Sequence, residues 1–94
     1  MTVALITGIT GQDGFYMAKF LVHKNYKIIG LTRDVTKAKH LIPTVLKKHV
    51  KLVEWDMMDQ SKIVEILLSF RPKEVFNFAA YSSGTGMFDA AVSI

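Results

Sequence analysis

Short apolar runs alternate with amphipathic stretches along the chain, and no internal repeat or low-complexity segment interrupts them. Four runs are rich in β-branched and aliphatic residues, which is typical of strands buried on both faces of a sheet. The predicted strands are Thr2–Thr7, Lys27–Thr32, Val50–Trp55 and Glu74–Ala79.

Between these strands, apolar residues recur at the spacing of one helical face. The segment Asp13–Lys24 predicts an amphipathic helix. Residues 35–48 have a similar pattern but contain a proline, so we expect a short or broken helix there. A last helix is expected to begin after Asp59 or Ser61, either of which can cap it, and to end before Pro72.

This order of strands and helices predicts an α/β fold, in which a parallel sheet carries helices on both faces. Right-handed crossovers leave few arrangements, and the leading one is the N-terminal half of a Rossmann sheet with strand order 3-2-1-4. The 94 residues suffice for a single domain of this kind. We therefore interpret residues 1–94 as one truncated nucleotide-binding domain.

The segment Thr-Gly-Ile-Thr-Gly-Gln-Asp-Gly, residues 7–14, joins the first strand to the first helix. Gly8, Gly11 and Gly14 are spaced three apart, and a tight turn needs backbone conformations open mainly to glycine. A bare glycine at the helix mouth also lets a pyrophosphate approach the N–H groups there. A glycine triplet elsewhere would indicate only a turn, but its position after a buried strand predicts dinucleotide binding.

Two charged residues, Arg33 and Asp34, follow the second strand. An acidic side chain at this place accepts from ribose hydroxyls in NAD-binding sheets, whereas an arginine suits the 2′-phosphate of NADP. Guanidinium pairs with phosphate through two charge-assisted hydrogen bonds, and Lys37 and Lys39 add positive potential. NADP is therefore the favoured cofactor and NAD the alternative, unless Arg33 is simply a solvated loop residue.

The ends of the third and fourth strands complete the candidate site. Asp56 could accept from the adenine amino group with Met57 against the ring, or it could serve only as a helix-entry residue. Small Ala79 and Ala80 would let the backbone pass the ribose and nicotinamide, and Ser82 would point into the crevice.

Composition excludes several classes of protein. Half of the residues are hydrophobic, 21% are charged and none is cysteine, so we expect a globular cytoplasmic protein without disulfides or zinc–thiolate sites. The apolar runs are far shorter than a membrane span, and the three histidines are scattered, so no metal site is predicted. Six of the twelve basic residues lie between Arg33 and Lys51, but no aromatic residues are interleaved with them, and nucleic acid is not an expected partner.

These motifs together resemble the extended short-chain dehydrogenase/reductases, and the Gln-Asp-Gly ending is similar to that of the GDP-mannose 4,6-dehydratases. The resemblance continues through Trp-Asp-Met-Met-Asp, like the family's Gly-Asp-Leu-x-Asp, and through Asn-Phe-Ala-Ala-Tyr-Ser, like its Asn-Leu-x-Ala-x-Ser. The cofactor contacts that it implies are Gly8, Thr10, Gly11, Gln12, Asp13 and Gly14 at the pyrophosphate, Arg33 at the 2′-phosphate, Asp56 and Met57 at the adenine, and Phe78, Ala79, Ala80 and Ser82 at the ribose and nicotinamide. At the position where those dehydratases commonly have a second arginine, this chain has Asp34.

The resemblance also implies a function. Whole members convert a sugar nucleotide, GDP-mannose, to its 4-keto-6-deoxy form; other epimerases, dehydratases or reductases of the family are the alternative, as is a non-catalytic dinucleotide-binding module. Their chemistry needs a Tyr-x-x-x-Lys pair, and no tyrosine here is followed by lysine at that spacing. We expect the chain to be an N-terminal piece without catalytic residues, and its uncovered fourth strand predicts self-association.

Overall fold

The computed structural model describes residues 2–79, in which strands and helices alternate. The strands are β1 (Val3–Thr7), β2 (Lys27–Thr32), β3 (Val50–Glu54) and β4 (Glu74–Asn77). The helices are α1 (Gln12–His23), α2 (Val35–Leu41), α3 (Thr44–Lys47) and α4 (Gln60–Phe70).

All strand pairs of the described sheet are parallel, and the strand order is β3-β2-β1-β4. The predicted fold and strand order are therefore confirmed. The order in which strands are added reverses at β1, because β2 and β3 lie on one side of it and β4 on the other. Open α/β sheets bind their ligands in the crevice that this reversal leaves at the carboxyl ends of the strands.

The core has two layers, one on each face of the sheet, because successive side chains of a strand point to opposite faces. Ala4 and Ile6 of β1 pack with Ala18 and Leu21 of α1 on one face. Leu5 points to the other face. There it packs with Ile29, Leu31 and Ile66, the last of these on α4.

Local sequence explains where the helices begin and end. Asp34 and Asp59 accept hydrogen bonds from the N–H groups three residues on, at 3.0 Å each, and so cap α2 and α4. The predicted break in residues 35–48 is present, with Pro43 at the N-cap of α3. Arg71 ends α4 in a left-handed conformation with φ of 45°.

β4 is two residues shorter than expected, and the reason lies in β1. The N–H of Ala79 donates to the side-chain hydroxyl of Thr7, at 3.0 Å, instead of to a backbone carbonyl. The regular ladder therefore stops at Asn77, and the chain leaves the sheet beside the first turn.

Candidate functional site

In the glycine turn, residues 7–14, the fold requires glycine at the first of the three glycine positions, Gly8. Gly8 has φ of 67°, in the left-handed region that other residues rarely adopt. A Cβ atom there would lie 2.8 Å from both the Ala79 nitrogen and the Phe78 carbonyl carbon. Gly8 is thus required both by its backbone conformation and by the close passage of the chain after β4.

The other two glycines differ from Gly8 and from each other. A Cβ at Gly14 would lie 2.2 Å from the carbonyl oxygen of Gly8, so α1 can pack onto the turn only without a side chain there. Gly11 has φ of −80°, which any residue adopts, and its Cβ would meet only the Gly8 oxygen at 3.4 Å. The expectation that the turn's conformation requires glycine holds for Gly8 and not for Gly11.

Gly11 leaves the mouth of α1 open. The first N–H groups of a helix have no intrahelical acceptor, and Gly11 at the N-cap offers no side-chain oxygen to them. Thr10, Gly11, Gln12 and Asp13 are all exposed. A bare helix N-terminus with its partial positive charge is suited to an anionic group such as a pyrophosphate.

A cleft of about 700 Å³ opens from this turn across the carboxyl ends of the strands. It is of the size that small-molecule ligands occupy. Its lining residues are Thr7, Gly8, Thr10, Leu31, Thr32, Arg33, Asp34, Lys37, Ala38, Leu41, Trp55, Asp56, Met57, Met58 and Ala79.

Hydrogen bonds of Thr7 hold the floor of the cleft. Its hydroxyl donates to the Asn77 side-chain oxygen at 2.5 Å and accepts from the Ala79 N–H, while its backbone oxygen accepts from the Phe78 N–H at 3.3 Å. Thr7 is the only buried polar residue of the described chain. These bonds fix the end of β4 against Gly8 and so set the shape of the turn.

At the end of β2 the cleft is bordered by two cations and one carboxylate. Arg33 is exposed and Lys37 lies in the first turn of α2. The Asp34 carboxylate accepts the Lys37 N–H, and the Asp34 N–H donates to the Thr32 hydroxyl at 3.3 Å. Asp34 therefore caps α2 through one carboxylate oxygen, and Arg33, Asp34 and Lys37 all line the cleft at this strand end.

The end of β3 forms a tightly wound turn. One oxygen of the Asp56 carboxylate accepts the Met58 N–H at 2.9 Å, and the Asp56 backbone oxygen accepts the Asp59 N–H at 2.8 Å. Asp56 is exposed at the cleft, so its second carboxylate oxygen can still accept from a ligand. The helix-entry role falls to Asp59, which caps α4.

The sequence prediction missed an apolar lining that faces this turn. Leu41 is 56% exposed and Met58 is 74% exposed, and both line the cleft with Leu31, Ala38 and Trp55. The available signal was the spacing of Ala38 and Leu41, which places both residues on one side of α2. Such exposed apolar side chains are suited to a flat apolar group of a ligand.

The structure brings most of the predicted residues together. Gly8, Thr10, Arg33, Asp56, Met57 and Ala79 line the cleft. Gly11, Gln12 and Asp13 stand at the mouth of α1, and Gly14 is buried beneath the turn. The Phe78 ring stacks on Phe76, with ring centres 6.5 Å apart, and packs against the core, while the Phe78 backbone passes close to Gly8. Ala80 and Ser82 lie outside the described residues.

Within residues 2–79 no cluster of three or more histidine or acidic side chains is arranged to hold a metal ion. In the same range no helix has the length and apolar character needed to cross a membrane.

The fold and cleft define a Rossmann-type dinucleotide-binding protein of the short-chain dehydrogenase/reductase class. The structure superposes on the enzyme WbmH of Bordetella bronchiseptica, solved in complex with NAD+, with a TM-score of 0.71 and 26% identity over 89% of this chain and 27% of that one. It also matches a putative epimerase of Burkholderia cenocepacia, with a TM-score of 0.73 and 25% identity over 93% of this chain and 28% of that one.

Sequence comparison defines the family more narrowly. The model of the family described as GDP-mannose 4,6 dehydratase matches residues 5–93, so the chain belongs to that family. It is 43% identical to the Drosophila melanogaster GDP-mannose 4,6 dehydratase over 93% of this chain, and 37% identical to the Homo sapiens protein over 95%. The chain spans about a quarter of the length of these curated relatives, 24% and 26% respectively.

Proposed function

We propose that this chain is the NADP-binding portion of a GDP-mannose 4,6-dehydratase. The observation that carries this proposal is the cleft, in which a bare helix mouth adjoins Arg33 and Lys37. The helix mouth is suited to a pyrophosphate shared by NAD and NADP, and the two cations are suited to the 2′-phosphate that only NADP has. One oxygen of the Asp34 carboxylate, which would favour NAD, caps α2 and the other remains at the cleft, so NAD is the alternative cofactor.

The residues present fit this cofactor. Gly11 leaves open space where a larger side chain would crowd the pyrophosphate. Asp56 has one carboxylate oxygen available for the adenine amino group, while its other oxygen is held by the Met58 N–H. When bound, the cofactor would supply a nicotinamide ring that accepts and returns a hydride. The chain's own contribution is to hold the adenosine and pyrophosphate in a fixed orientation.

The substrate and the reaction are proposals for the whole protein. The relatives' names indicate GDP-mannose and the loss of water across the sugar, and we propose the same substrate and reaction here, in the cytoplasm. The Tyr-x-x-x-Lys pair that would move the proton is not among these 94 residues. We therefore expect the 94-residue chain to bind nucleotide and to leave GDP-mannose unchanged.

Replacing Arg33 tests the cofactor assignment. Arg33→Ala removes a charge-assisted partner of the 2′-phosphate and should cost about 1.5–3 kcal/mol of NADP affinity, with little change for NAD. Calorimetric titration with both nucleotides measures this. Lys39→Ala is the matched control, because Lys39 is a nearby exposed cation on α2 that lines a separate hollow.

Two results would contradict the assignment. If Arg33→Ala lowered the affinities for NAD and NADP equally, Arg33 would act only as a general positive charge. The assigned cofactor would then be NAD. A similar NADP loss in Lys39→Ala would show that the net charge of the segment matters and that the position of Arg33 does not.

We also propose that the chain associates with itself along β4. Among residues 2–79 no strand pairs with the outer edge of β4, Val75 of β4 is exposed, and Val64 and Leu68 of α4 are exposed as well. Unpaired edges beside apolar surface favour association. Light scattering should detect oligomers that Leu68→Lys reduces, and a monodisperse monomer at high concentration would contradict the proposal.

A further inference from the structure

Trp55 is the single tryptophan of the chain, and it lines the cleft without a part in the contacts proposed above. We infer that Trp55 forms an aromatic wall against which the adenine base of a nucleotide packs. This inference rests on the proposed function, because it assigns one end of the same cleft to the base.

Two hydrogen bonds hold Trp55 in place. Its backbone N–H donates to the Thr32 oxygen at 2.8 Å, which extends the pairing of β2 and β3 by one residue. Its indole Nε1 donates to the Asp59 backbone oxygen at 2.9 Å. Since the only polar atom of the indole is used within the protein, what remains for a ligand is the ring surface.

The packing of Trp55 also restricts the ring. The residue is half-buried and packs at the margin of the core layer that contains Leu31 and Ile66. A side chain held by a core contact and a hydrogen bond loses little further conformational freedom when a ligand arrives, so more of the contact energy appears as affinity. Trp55 is therefore a preorganised surface and not a loosely exposed side chain.

The surroundings of Trp55 favour a flat, mostly apolar ligand group. Leu41 and Met58 remain largely exposed on the cleft, with Ala38 and Met57 beside them. Purine bases stack on aromatic side chains and pack against apolar ones. The Asp56 carboxylate at the same turn could accept from the exocyclic amino group of adenine.

The position of Trp55 relative to Arg33 matches the layout of one nucleotide. Trp55 is bonded to Thr32, the residue directly before Arg33, so the indole and the guanidinium leave adjacent ends of neighbouring strands. The base would contact Trp55 and the 2′-phosphate would contact Arg33. The two side chains should therefore act on separate parts of the ligand and contribute independently.

The experiment uses two probes that differ by one phosphate, 5′-AMP and adenosine 2′,5′-bisphosphate, titrated into the 94-residue chain by calorimetry. Trp55→Leu keeps apolar volume but removes the ring, and should weaken both probes by the same factor of about ten. Trp55→Phe keeps an aromatic face but loses the bond to Asp59, and should weaken both by less than about threefold. Arg33→Ala should weaken the bisphosphate alone.

Tryptophan fluorescence of the unmodified chain gives a test that does not depend on whether the variants fold. In the unmodified chain, saturation with 5′-AMP should change the emission of the single tryptophan, because the base would contact its ring. No change of emission on saturation, or unaltered 5′-AMP affinity in Trp55→Leu, would overturn the role of Trp55 while leaving the proposed function intact. Failure of the unmodified chain to bind either probe would overturn the proposed function, and this inference with it.

Discussion

The two sides of the cleft are specified in different ways. In the glycine turn, residues 7–14, Gly8 and Gly14 are required by contacts within the protein, since an added Cβ would meet backbone atoms at 2.2–2.9 Å. At the ends of β2 and β3, the side chains of Arg33 and Trp55 line the cleft. The backbone pairing of the sheet does not depend on these two side chains. In the proposed function, the turn would make nucleotide binding possible and the strand ends would determine which nucleotide is bound.

The largest effect is expected at Gly14. Gly14→Ala places a methyl group 2.2 Å from the Gly8 oxygen, so either α1 or the turn must move. Forced overpacking against backbone should lower the free energy of unfolding by about 3 kcal/mol or more, measured by urea denaturation. Gly11→Ala is the matched control and should change stability by less than about 1 kcal/mol. Similar losses in the two variants would contradict the distinction between these glycines.

In the same turn, we expect Gly11→Val to lower nucleotide affinity without changing the fold. Its backbone conformation suits valine, so the chain should remain folded, but the side chain would occupy the space at the mouth of α1. We expect at least a tenfold loss of affinity for both NAD and NADP, about 1.4 kcal/mol, by calorimetry. Circular dichroism should report an unchanged fold. Unchanged affinity would mean that the pyrophosphate does not approach this turn.

Substitutions of Asp34 test the ends of the strands, because Asp34 lines the cleft and also caps α2. Asp34→Ala removes the cap of α2 and should lower the free energy of unfolding by about 1 kcal/mol. Asp34→Asn keeps a capping oxygen and should cost only a few tenths of that. The same asparagine variant removes negative charge beside Arg33 and should raise the affinity for NADP relative to NAD. Equal destabilisation by both variants would contradict the capping role.

Sequence alone predicted the elements that depend on local chemistry. The proline within residues 35–48 divided a helix as expected, and Asp59 rather than Ser61 capped α4 because its carboxylate reaches the Lys62 N–H. The glycine triplet after a buried strand correctly located the first turn. These features succeed because one or a few neighbouring residues decide them.

Features that depend on distant contacts could not be predicted in this way. Phe78 lies in a motif that suggested a cofactor contact, but pairing with β1 turns its ring toward Phe76 and the core. Trp55 was interpreted as the last residue of a strand, and only the fold shows that its side chain lines the cleft. Asp34 was weighed as a ribose acceptor beside the favoured Arg33, and its hydrogen bond to the Lys37 N–H became visible only with α2 in place.

The smallest effect is expected at Tyr26, at the other end of the sheet. The Tyr26 hydroxyl donates to the Glu74 carboxylate and so ties the turn after α1 to the start of β4. This hydrogen bond, followed by burial and by the negative charge of Glu74, raises the pKa of Tyr26 above its ordinary value of 10.0. The raised pKa means that the fold favours the protonated hydroxyl, so the stabilisation is fully present below pH 10 and disappears as the pH rises through the raised pKa.

Tyr26→Phe removes this hydroxyl while keeping the ring against the core. The variant should unfold at a slightly lower temperature than the unmodified chain at neutral pH, and the difference should vanish above the raised pKa of Tyr26. Thermal denaturation followed by circular dichroism measures both, from pH 7 up to the pH at which the tyrosinate absorbance lost in Tyr26→Phe shows that Tyr26 has ionised. Affinity for NAD and NADP should be the same in the two proteins, because Tyr26 lies away from both sides of the cleft. A difference in melting temperature that persists unchanged at the highest pH would show that the hydroxyl acts through packing and not through its proton.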